Sequence, residues 1–543
     1  MTRARSQRRR GKSSQIESDG TSGLQSDKTE AATSHQLPAK VATVAPAVLF
    51  TLLLVATAAG SFYYAAGEVI DDAYISFRYA RNLVQGHGLV FNLGDRVEGY
   101  SNLLWVLLLA GAAALGVELV VASKVLGAAC AVATVVALWR FAPEDRGTVG
   151  WGALIAPALL AANPSFALWS VHGLETALFT LLVTLGLRED VGAHSRGEVP
   201  RYSALWYALA AWTRPEGPYF FMVSALFGVV AAPRVWLSRQ GVRWAAGFVL
   251  LEGGHLVWRV AYYGDIFPNP YYLKVAWTAA SVGRGLAYVG GFFAAPGAAL
   301  FLAAIPALIA ARRERWLLFL SIATVGYLGC VAAEGGDAFA GFRFLVPVLG
   351  PAYVLVQEGA RRAARSLPSW GKTGGALVLV AAAALHGLHV KGEVDAEVAG
   401  SDDFIQSMRA VGLTLREQFP PGTTIALNSA GAVPYYSEFR AYDMLGVTDR
   451  HIARTSPRGL GRGQSGHEKG DGKYILGLRP DLILAGNVAV IDRLPPPGFQ
   501  ARPLPMHRSE EEIFADPALP RLYETGQLRL SNGKWLVFLR RRP

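Results

Sequence analysis

Cysteine and charged residues are both scarce in this sequence, and each shortage excludes a class of protein. The 543 residues include two cysteines, Cys130 and Cys330. Both lie in apolar runs without a CxxC or metal-ligand spacing, so neither a disulfide framework nor a zinc site is expected. Charged residues make up 17% of the chain, whereas soluble proteins carry roughly 25%. Together with a hydrophobic content of 52%, this composition predicts a polytopic membrane protein.

The short motifs of nucleotide-binding proteins and hydrolases are also missing. The sequence contains no P-loop, G-x-S-x-G or H-E-x-x-H motif, and no internal repeat. Its formal net charge of +11 is clustered, whereas a nucleic-acid-binding domain presents a basic face interleaved with aromatic residues. Nucleic acid is therefore not expected as a partner.

The apolar residues divide the chain into three regions. Residues 1–42 are polar with a basic block, which is typical of a disordered cytoplasmic tail. Residues 43–390 contain successive apolar runs and form the predicted transmembrane domain. Residues 391–543 contain one segment with helical periodicity, several short strand-like segments and turn-rich segments between them. This pattern predicts a small soluble α/β domain. Its expected elements are a helix over Asp403–Phe419 and strands at Thr423–Leu427, Arg440–Met444, Asp481–Leu484 and Trp535–Leu539.

Four arginine clusters between the apolar runs set the predicted topology. The positive-inside rule places all four in the cytoplasm. They share one side only if the apolar segment Ser101–Val117 does not cross the membrane, so we expect a juxtamembrane helix there, in the first outer loop. About eleven spans then remain, with the N-terminus cytoplasmic and residues 391–543 extracytoplasmic. The clusters are Arg188 with Arg196 and Arg201, Arg234 with Arg239 and Arg243, Arg312 with Arg313 and Arg315, and Arg361 with Arg362 and Arg365.

An acidic pair, Asp71 and Asp72, follows the first apolar run. Two adjacent carboxylates repel each other, and placing them beside lipid costs free energy. Such a pair is therefore expected to have a function. An aspartate at this place suits a general base for a sugar hydroxyl, acting as a lipid phosphate departs. Helix capping is the alternative. Paired carboxylates also suit a divalent cation, but no dense Asp/Asn cage accompanies them, so no metal or other cofactor is predicted and the cation stays the alternative.

Basic residues at the outer ends of the predicted spans run against the positive-inside trend. A ligand with a phosphate group in the outer leaflet would explain them, because arginine matches phosphate oxygens. For one of them, Arg214, neutralisation by Glu216 is the alternative. The predicted phosphate-binding residues are Arg214, Arg259, Lys274 and Arg343.

Further polar and aromatic residues gather in the predicted outer loops and the α/β domain, and we interpret them as substrate-binding. For His172 the alternative is a purely structural role. For Tyr435 and Tyr436 the alternative is that they pack within the core of the domain. The glycine-flanked segment His467–Lys469 is expected to be a mobile exposed loop. The predicted substrate-binding residues are Arg78, His87, His172, Glu175, Glu216 and Asp337 in the loops and Tyr435, Tyr436 and Asp443 in the domain.

Several motifs together resemble one enzyme family. The stretch DDAYISFRYARNLVQGHGLVFN with GDRVEGYSNLLW, and the later motifs HGLET, TRPEG, YYGDIFPNPYYLK, GGDAFAGFRFLVP and NSAGAVPYYSEFRAYDMLGVTDRHIA, resemble GT-C membrane glycosyltransferases. Within that superfamily they are most similar to the mycobacterial terminal β-(1→2)-arabinofuranosyltransferases and their bacterial relatives. The resemblance covers roughly residues 44–490. It implies a GT-C fold, a polyprenyl-phosphate-sugar donor, an extracytoplasmic site and a catalytic aspartate in the first outer loop, which is Asp72 or Asp71 here.

The sequence therefore predicts a membrane glycosyltransferase of the bacterial inner membrane. It would move a glycosyl unit, by resemblance an arabinofuranosyl unit, from a polyprenyl-phosphate donor to a cell-envelope glycan acceptor. A transporter is one alternative, although its charges would lie at mid-membrane on repeated, broken helices. A non-catalytic scaffold that binds envelope glycan is the other. Neither alternative needs the acidic pair.

Overall fold

The computed structural model of the chain is helical as far as residue 418. It describes residues 39–146, 151–293, 296–457, 459–486, 490–496 and 507–543, so residues 1–38 of the predicted tail lie outside the described residues. Short 3-10 turns lie at Pro143–Arg146, Trp151–Leu154, Pro296–Ala298 and Arg343–Leu345. The helices are α1 (Ala39–Ala65), α2 (Asp71–Val84), α3 (Leu103–Ala114), α4 (Leu119–Leu138), α5 (Ile155–Ala161), α6 (Pro164–Val171), α7 (Thr176–Arg196), α8 (Ser203–Thr213), α9 (Gly217–Ala231), α10 (Pro233–Trp236), α11 (Arg239–Tyr263), α12 (Asn269–Lys274), α13 (Ala279–Phe293), α14 (Ala299–Leu302), α15 (Ile305–Ala310), α16 (Arg315–Glu334), α17 (Val346–Arg365) and α18 (Ser369–Gln418).

Several described helices have the length and apolar composition needed to cross a membrane. Four qualify alone: Ala45–Ala65 within α1, α4, α16 and α18. A fifth results if Trp151–Ala161 and α6, which are bent by 58°, form one broken span. The chain is thus a multi-pass membrane protein. The predicted total of about eleven spans and the sidedness of the termini stay predictions.

Helix α3 occupies the segment that we expected not to cross the membrane. Its twelve residues extend about 18 Å at 1.5 Å per residue, well short of a hydrocarbon layer roughly 30 Å thick. The length agrees with the predicted juxtamembrane helix. It packs beside α2, the helix that begins with the acidic pair.

Helix α18 is a single element of 50 residues, about 75 Å long. It contains both the last apolar run and the predicted helix Asp403–Phe419, so the predicted boundary near residue 390 lies within it. Residues 43–543 form one compact unit.

After α18 the chain folds around a small mixed sheet. Its strand order is β2-β1-β3-β6-β4, with β5 on the other side of β6. Strands β1, β2 and β3 are parallel, and β6 is antiparallel to its neighbours. The elements are β1 (Thr424–Leu427), α19 (Ala432–Ser437), β2 (Arg440–Asp443), α20 (Arg450–Ala453), α21 (Gly472–Leu478), β3 (Leu482–Leu484), β4 (Val490–Ile491), α22 (Arg508–Ala515), α23 (Leu519–Leu522), β5 (Tyr523–Arg529) and β6 (Trp535–Arg541).

The four predicted strands are confirmed to within two residues at each end, whereas β4 and β5 were not predicted. Strand β5 reads YETGQLR, has mostly exposed side chains, and lies at the edge of the sheet. Such a strand carries little apolar alternation. Its Gly526 lies against the ring of Phe538, which a Cβ would meet at 2.6 Å.

Helix α2 joins the helical region to the sheet domain. Its Tyr74 ring lies 5.4 Å from Tyr435 and 5.5 Å from Tyr436 of α19. The buried guanidinium of Arg78 donates to the carbonyl oxygens of Pro434 (2.6 Å) and Phe439 (2.8 Å). Because an unpaired buried charge is costly, these contacts fix α2 against the segment from α19 to β2.

Candidate active site

A cavity of about 160 Å³ opens beside the first turn of α2. Its walls come from α2, the segment Gly99–Asn102, the start of α9, helix α12, and the segment that follows α16. The lining includes both acidic and basic side chains. The carboxylates are Asp72, Glu175, Glu216, Glu334 and Asp337, and the cations are Arg214, Lys274 and Arg343.

The two adjacent aspartates point to different places. Consecutive residues of a helix are about 100° apart, so the two carboxylates leave α2 in different directions. The Asp71 carboxylate accepts hydrogen bonds from the backbone N–H groups of Gly431 (3.0 Å) and Ala432 (2.8 Å) in the sheet domain. Burial raises the pKa of Asp71 to about 6, although these two hydrogen bonds favour its ionised form. Asp72 lines the cavity instead.

The Asp72 carboxylate has a cation within reach. Its Oδ2 lies 3.9 Å from Nζ of Lys274, and both side chains are about one-third exposed. This pair is longer and wetter than the other ion pairs of the cavity. Since an exposed pair at this distance contributes little, the ammonium of Lys274 is free to bind an anion.

Arg214 is paired on both sides. Its Nη1 donates to Glu175 at 2.9 Å and its Nη2 to Glu216 at 2.6 Å, with all three side chains buried. The pKa of Glu175 lies below its ordinary value: burial, the largest single effect, raises it, but the charges of Arg214 and Arg343 and a hydrogen bond donated by Asn102 together outweigh burial. The neutralisation of Arg214 by Glu216, weighed above as the alternative, is therefore present, and Glu175 adds to it.

Arg343 makes a two-pronged pair with Asp337. Its Nε and Nη2 donate to the two carboxylate oxygens at 2.7 and 3.0 Å. The guanidinium also stacks on Phe339 and Phe344, with centroid distances of 4.9 Å. Arg343, predicted to bind phosphate, and Asp337, predicted to bind substrate, are thus paired with each other in the cavity wall.

Arg259 lies apart from the cavity lining. Its Nε is 2.8 Å from the Glu98 carboxylate, and both side chains are buried. His87 is exposed and also outside the lining. His172 is buried, with neither ring nitrogen hydrogen-bonded within the described part of the chain, and burial lowers its pKa to about 4.

The predicted substrate residues of α2 and the sheet domain are tied up in the fold. Arg78 binds backbone carbonyls, as described above, and the two tyrosines of α19 pack against Tyr74. Asp443 accepts hydrogen bonds from the N–H groups of Leu445, Gly446 and Thr448 in the turn after β2. None of the four, Arg78, Tyr435, Tyr436 and Asp443, is among the residues lining the cavity.

The prediction of a mobile exposed loop at His467–Lys469 is wrong. Lys469 is buried and donates to the carbonyl oxygens of Tyr272 (2.9 Å) and Ala453 (2.8 Å). Glu468 accepts from the N–H groups of Gly461 (2.8 Å) and Gly463 (2.7 Å). The glycine-rich segment is therefore closely packed, and the charged side chains of Glu468 and Lys469 are held by backbone groups. The neighbouring Ser465 lines the cavity.

Several lining residues were missed by the sequence reasoning as site residues, among them Ser76, Asn102, Glu334 and Ser465. Ser76 lies one helical turn after Asp72, so the spacing i, i+4 along α2 could have found it. Asn102 exchanges hydrogen bonds with Ser76 and donates to Glu175. Glu334 ends α16, and Ser465 lies 131 residues further along the chain, so no local signal relates the two. Among the described residues, no group of three or more His, Cys, Asp or Glu side chains is placed to hold a metal ion.

Sequence comparison gives partial matches. A family model described as a domain of unknown function (DUF8728) matches residues 398–529. The terminal β-(1→2)-arabinofuranosyltransferase of Corynebacterium glutamicum is 29% identical over 273 residues, which is 45% of this chain and 39% of that protein. The enzyme of the same name from Mycobacterium tuberculosis is 27% identical over 263 residues, 41% of this chain and 37% of that protein. The matches therefore span well under half the length of these curated relatives.

Structural comparison covers more of the chain. ArnT from Cupriavidus metallidurans in the apo state aligns with a TM-score of 0.53 and 13% identity, over 91% of this chain and 98% of that one. ArnT is a membrane glycosyltransferase of the GT-C fold. The predicted GT-C fold, though not the predicted number of spans, is thereby confirmed: this chain is a GT-C-fold membrane protein whose sequence is similar to terminal β-(1→2)-arabinofuranosyltransferases.

Proposed function

We propose that the protein is a membrane glycosyltransferase that uses a polyprenyl-phosphate sugar as donor and a cell-envelope glycan as acceptor. The observation that carries the proposal is the placement of Asp72 and Lys274, 3.9 Å apart, on the wall of one cavity. Similarity to the arabinofuranosyltransferases makes an arabinofuranosyl unit the first sugar to test. The proposed orientation has the N-terminus in the cytoplasm and the sheet domain outside.

In this reaction Asp72 is the general base. Its carboxylate takes the proton of the acceptor hydroxyl as that oxygen attacks C1 of the donor sugar. The bond between C1 and the phosphate oxygen breaks, and the bonding electrons leave with the polyprenyl phosphate. The proton then passes from Asp72 to solvent. A partly exposed aspartate suits this step, because the proton that it takes up can pass on to water.

Lys274 stabilises the leaving group. The donor phosphodiester carries one negative charge and the released monoester up to two, so negative charge grows on the phosphate oxygens during the reaction. A cation beside them stabilises the transition state more than the ground state. Arg214 and Arg343 are already neutralised by carboxylates, so we assign them to shaping the pocket and holding sugar hydroxyls through Glu175, Glu216 and Asp337.

The test is Asp72→Asn in membranes supplied with polyprenyl-phosphate arabinofuranose and an arabinan acceptor. Asparagine keeps the shape of the side chain but takes up no proton, so we expect transfer to fall by roughly 10²-fold or more with unchanged melting temperature. Asp403→Asn is the matched control, since that carboxylate is 78% exposed and far along the chain on α18. Full transfer by Asp72→Asn would overturn the proposal.

The orientation has its own test. A reporter fused after Pro543 should read as extracytoplasmic, and one fused ahead of α1 as cytoplasmic. A cytoplasmic signal from the first fusion would place the cavity on the wrong side for an outer-face acceptor.

A further inference from the structure

A second concave surface lies on the sheet domain, separate from the cavity. It is a cleft of about 810 Å³ between the segment Asn92–Val97 on one side and β2 with the residues that follow it on the other. We propose that this cleft binds a neutral glycan chain, the part of the acceptor that extends away from the reacting sugar. The assignment to an acceptor rests on the proposed function above; the binding of a neutral glycan does not.

Aromatic rings form part of the cleft wall. The His451 ring stacks on Tyr474 with centroids 4.1 Å apart and 25° between planes, and Tyr442 lines the same cleft. The His451 side chain is 49% exposed. An exposed, flat aromatic surface of this kind offers a stacking face to the apolar side of a sugar ring, and tyrosine adds a polar edge.

The polar side chains of the cleft are fixed in place. Nε2 of His451 is 2.8 Å from Asp471, and the Tyr474 hydroxyl donates to Asp449 at 3.1 Å. Burial is the main cause that raises the pKa of Asp449, and the tyrosine hydrogen bond opposes it. A surface whose rings and carboxylates are already ordered loses less side-chain entropy when it binds a ligand. The arrangement is therefore a pre-organised one.

Charge decides the class of ligand. Three arginines, Arg440, Arg450 and Arg454, and three aspartates, Asp95, Asp449 and Asp471, line the cleft, so its formal charge is balanced. A different groove on the same domain has an excess of positive charge instead. There five arginines face two carboxylates; the lining includes Arg479, Arg521, Arg540, Arg541, Arg542, Asp481 and Glu524. An anionic polymer would prefer the second groove, whereas the balanced cleft suits a neutral, hydroxyl-rich chain.

The cleft begins next to the cavity. Val97 lines the cleft and Gly99 the cavity, while Thr448 lines the cleft and Val447 the cavity. In addition, the Arg454 guanidinium lies 4.2 Å above the ring of Tyr272, two residues before Lys274 on α12. A glycan with its terminal sugar in the cavity can therefore continue into the cleft over this short wall.

The experiment measures binding and kinetics with the full-length protein in detergent. The probes are a neutral arabinofuranosyl hexasaccharide and the matching disaccharide. The variants are His451→Ala and Tyr442→Ala, with Gln527→Ala as the control, because Gln527 is exposed on β5 outside the cleft. Melting temperatures show whether each variant is folded.

We expect both cleft variants to weaken binding of the hexasaccharide about two- to tenfold, the usual value of one aromatic contact. In transfer assays, KM for the hexasaccharide should rise by the same factor, with kcat and the KM of the disaccharide unchanged. An unchanged hexasaccharide Kd in both folded variants overturns the proposal, as does tighter binding of a phosphorylated hexasaccharide than of the neutral one. If the hexasaccharide binds and the variants weaken it, yet no Asp72-dependent transfer occurs, the cleft stands and the proposed function fails. If transfer occurs without any effect of the variants, the function stands and the cleft fails.

Discussion

Gly431 of the sheet domain lies directly against Asp71 of α2. Its N–H donates to the Asp71 carboxylate at 3.0 Å, and a Cβ on Gly431 would come within 2.0 Å of the Asp71 carbonyl oxygen. Since Asp72 is the next residue, this contact between the sheet domain and α2 sets the position of the proposed base. We therefore propose that Asp71 positions Asp72. The sheet domain also contributes Val447 and Ser465 to the cavity lining.

Gly431→Ala should disturb this contact. The added methyl group cannot fit without separating α2 from the turn after β1, and overpacking of this kind costs about 1–3 kcal/mol. We expect a lower melting temperature in detergent and a fall in transfer rate of at least tenfold. Gly477→Ala is the control, because that glycine has nothing within 4 Å of its Cβ position. Equal stability and activity of the two variants would contradict the positioning role.

The burial of Asp71 at its contact with Gly431 should make the stability of the protein depend on pH. The pKa of Asp71 is raised to about 6 by burial, above the value near 3.9 of an unfolded chain. A group of this kind contributes stability below its unfolded pKa, and the contribution is lost as pH rises through about 6. Burial likewise raises the pKa of Asp443 to about 6 and of Glu98 to about 7, so these groups act in the same direction.

We therefore expect these three groups to contribute a fall in melting temperature between pH 4 and pH 7, which the buried His172 opposes because its pKa is lowered to about 4. Asp71→Asn should flatten part of that fall, since asparagine does not titrate. It should also lower stability at every pH, because the amide oxygen can accept only one of the N–H groups of Gly431 and Ala432 and the amide nitrogen then faces the other donor. Thermal denaturation in detergent across this pH range checks both points. A pH profile parallel to that of the wild type would show that Asp71 does not titrate in this window.

The sequence located the acidic pair and most of the sheet, because these features are local, but it did not predict helix α2, which begins with the pair. Asp71 and Asp72 open an amphipathic helix, and β1, β2, β3 and β6 show apolar runs bounded by turns. The partners were not local. Arg214 meets Glu175 across 39 residues and Asp71 meets Gly431 across 360. Nothing in the periodicity of either segment specifies such pairs, so the roles of Arg259, Arg78 and Asp443 as internal partners became visible only in the folded chain.

Lys274 should affect donor binding and the rate of transfer together. A charge-assisted contact to phosphate contributes about 1.5–3 kcal/mol, so Lys274→Ala should lower kcat/KM for the lipid donor by roughly 10- to 150-fold. Lys274→Arg should recover part of the activity because the charge is kept. Lys391→Ala serves as the control, since Lys391 is half exposed and pairs with Asp395 one turn away. Unchanged donor kinetics in Lys274→Ala would remove the phosphate assignment.

Arg259 and Glu98 give a test that separates stability from donor binding. The sequence alone predicts that Arg259 binds phosphate, but the folded chain pairs it with Glu98 at 2.8 Å, away from the cavity lining. Removing one member of a buried pair leaves the other uncompensated and costs about 3–5 kcal/mol, whereas removing both costs less. We expect Arg259→Met to lose stability and the double variant Arg259→Met with Glu98→Gln to regain much of it. The donor KM of the double variant should equal that of the wild type. A double-mutant cycle on melting temperature and donor KM measures both quantities. A raised donor KM in the double variant, despite its recovered stability, would show that Arg259 binds the donor.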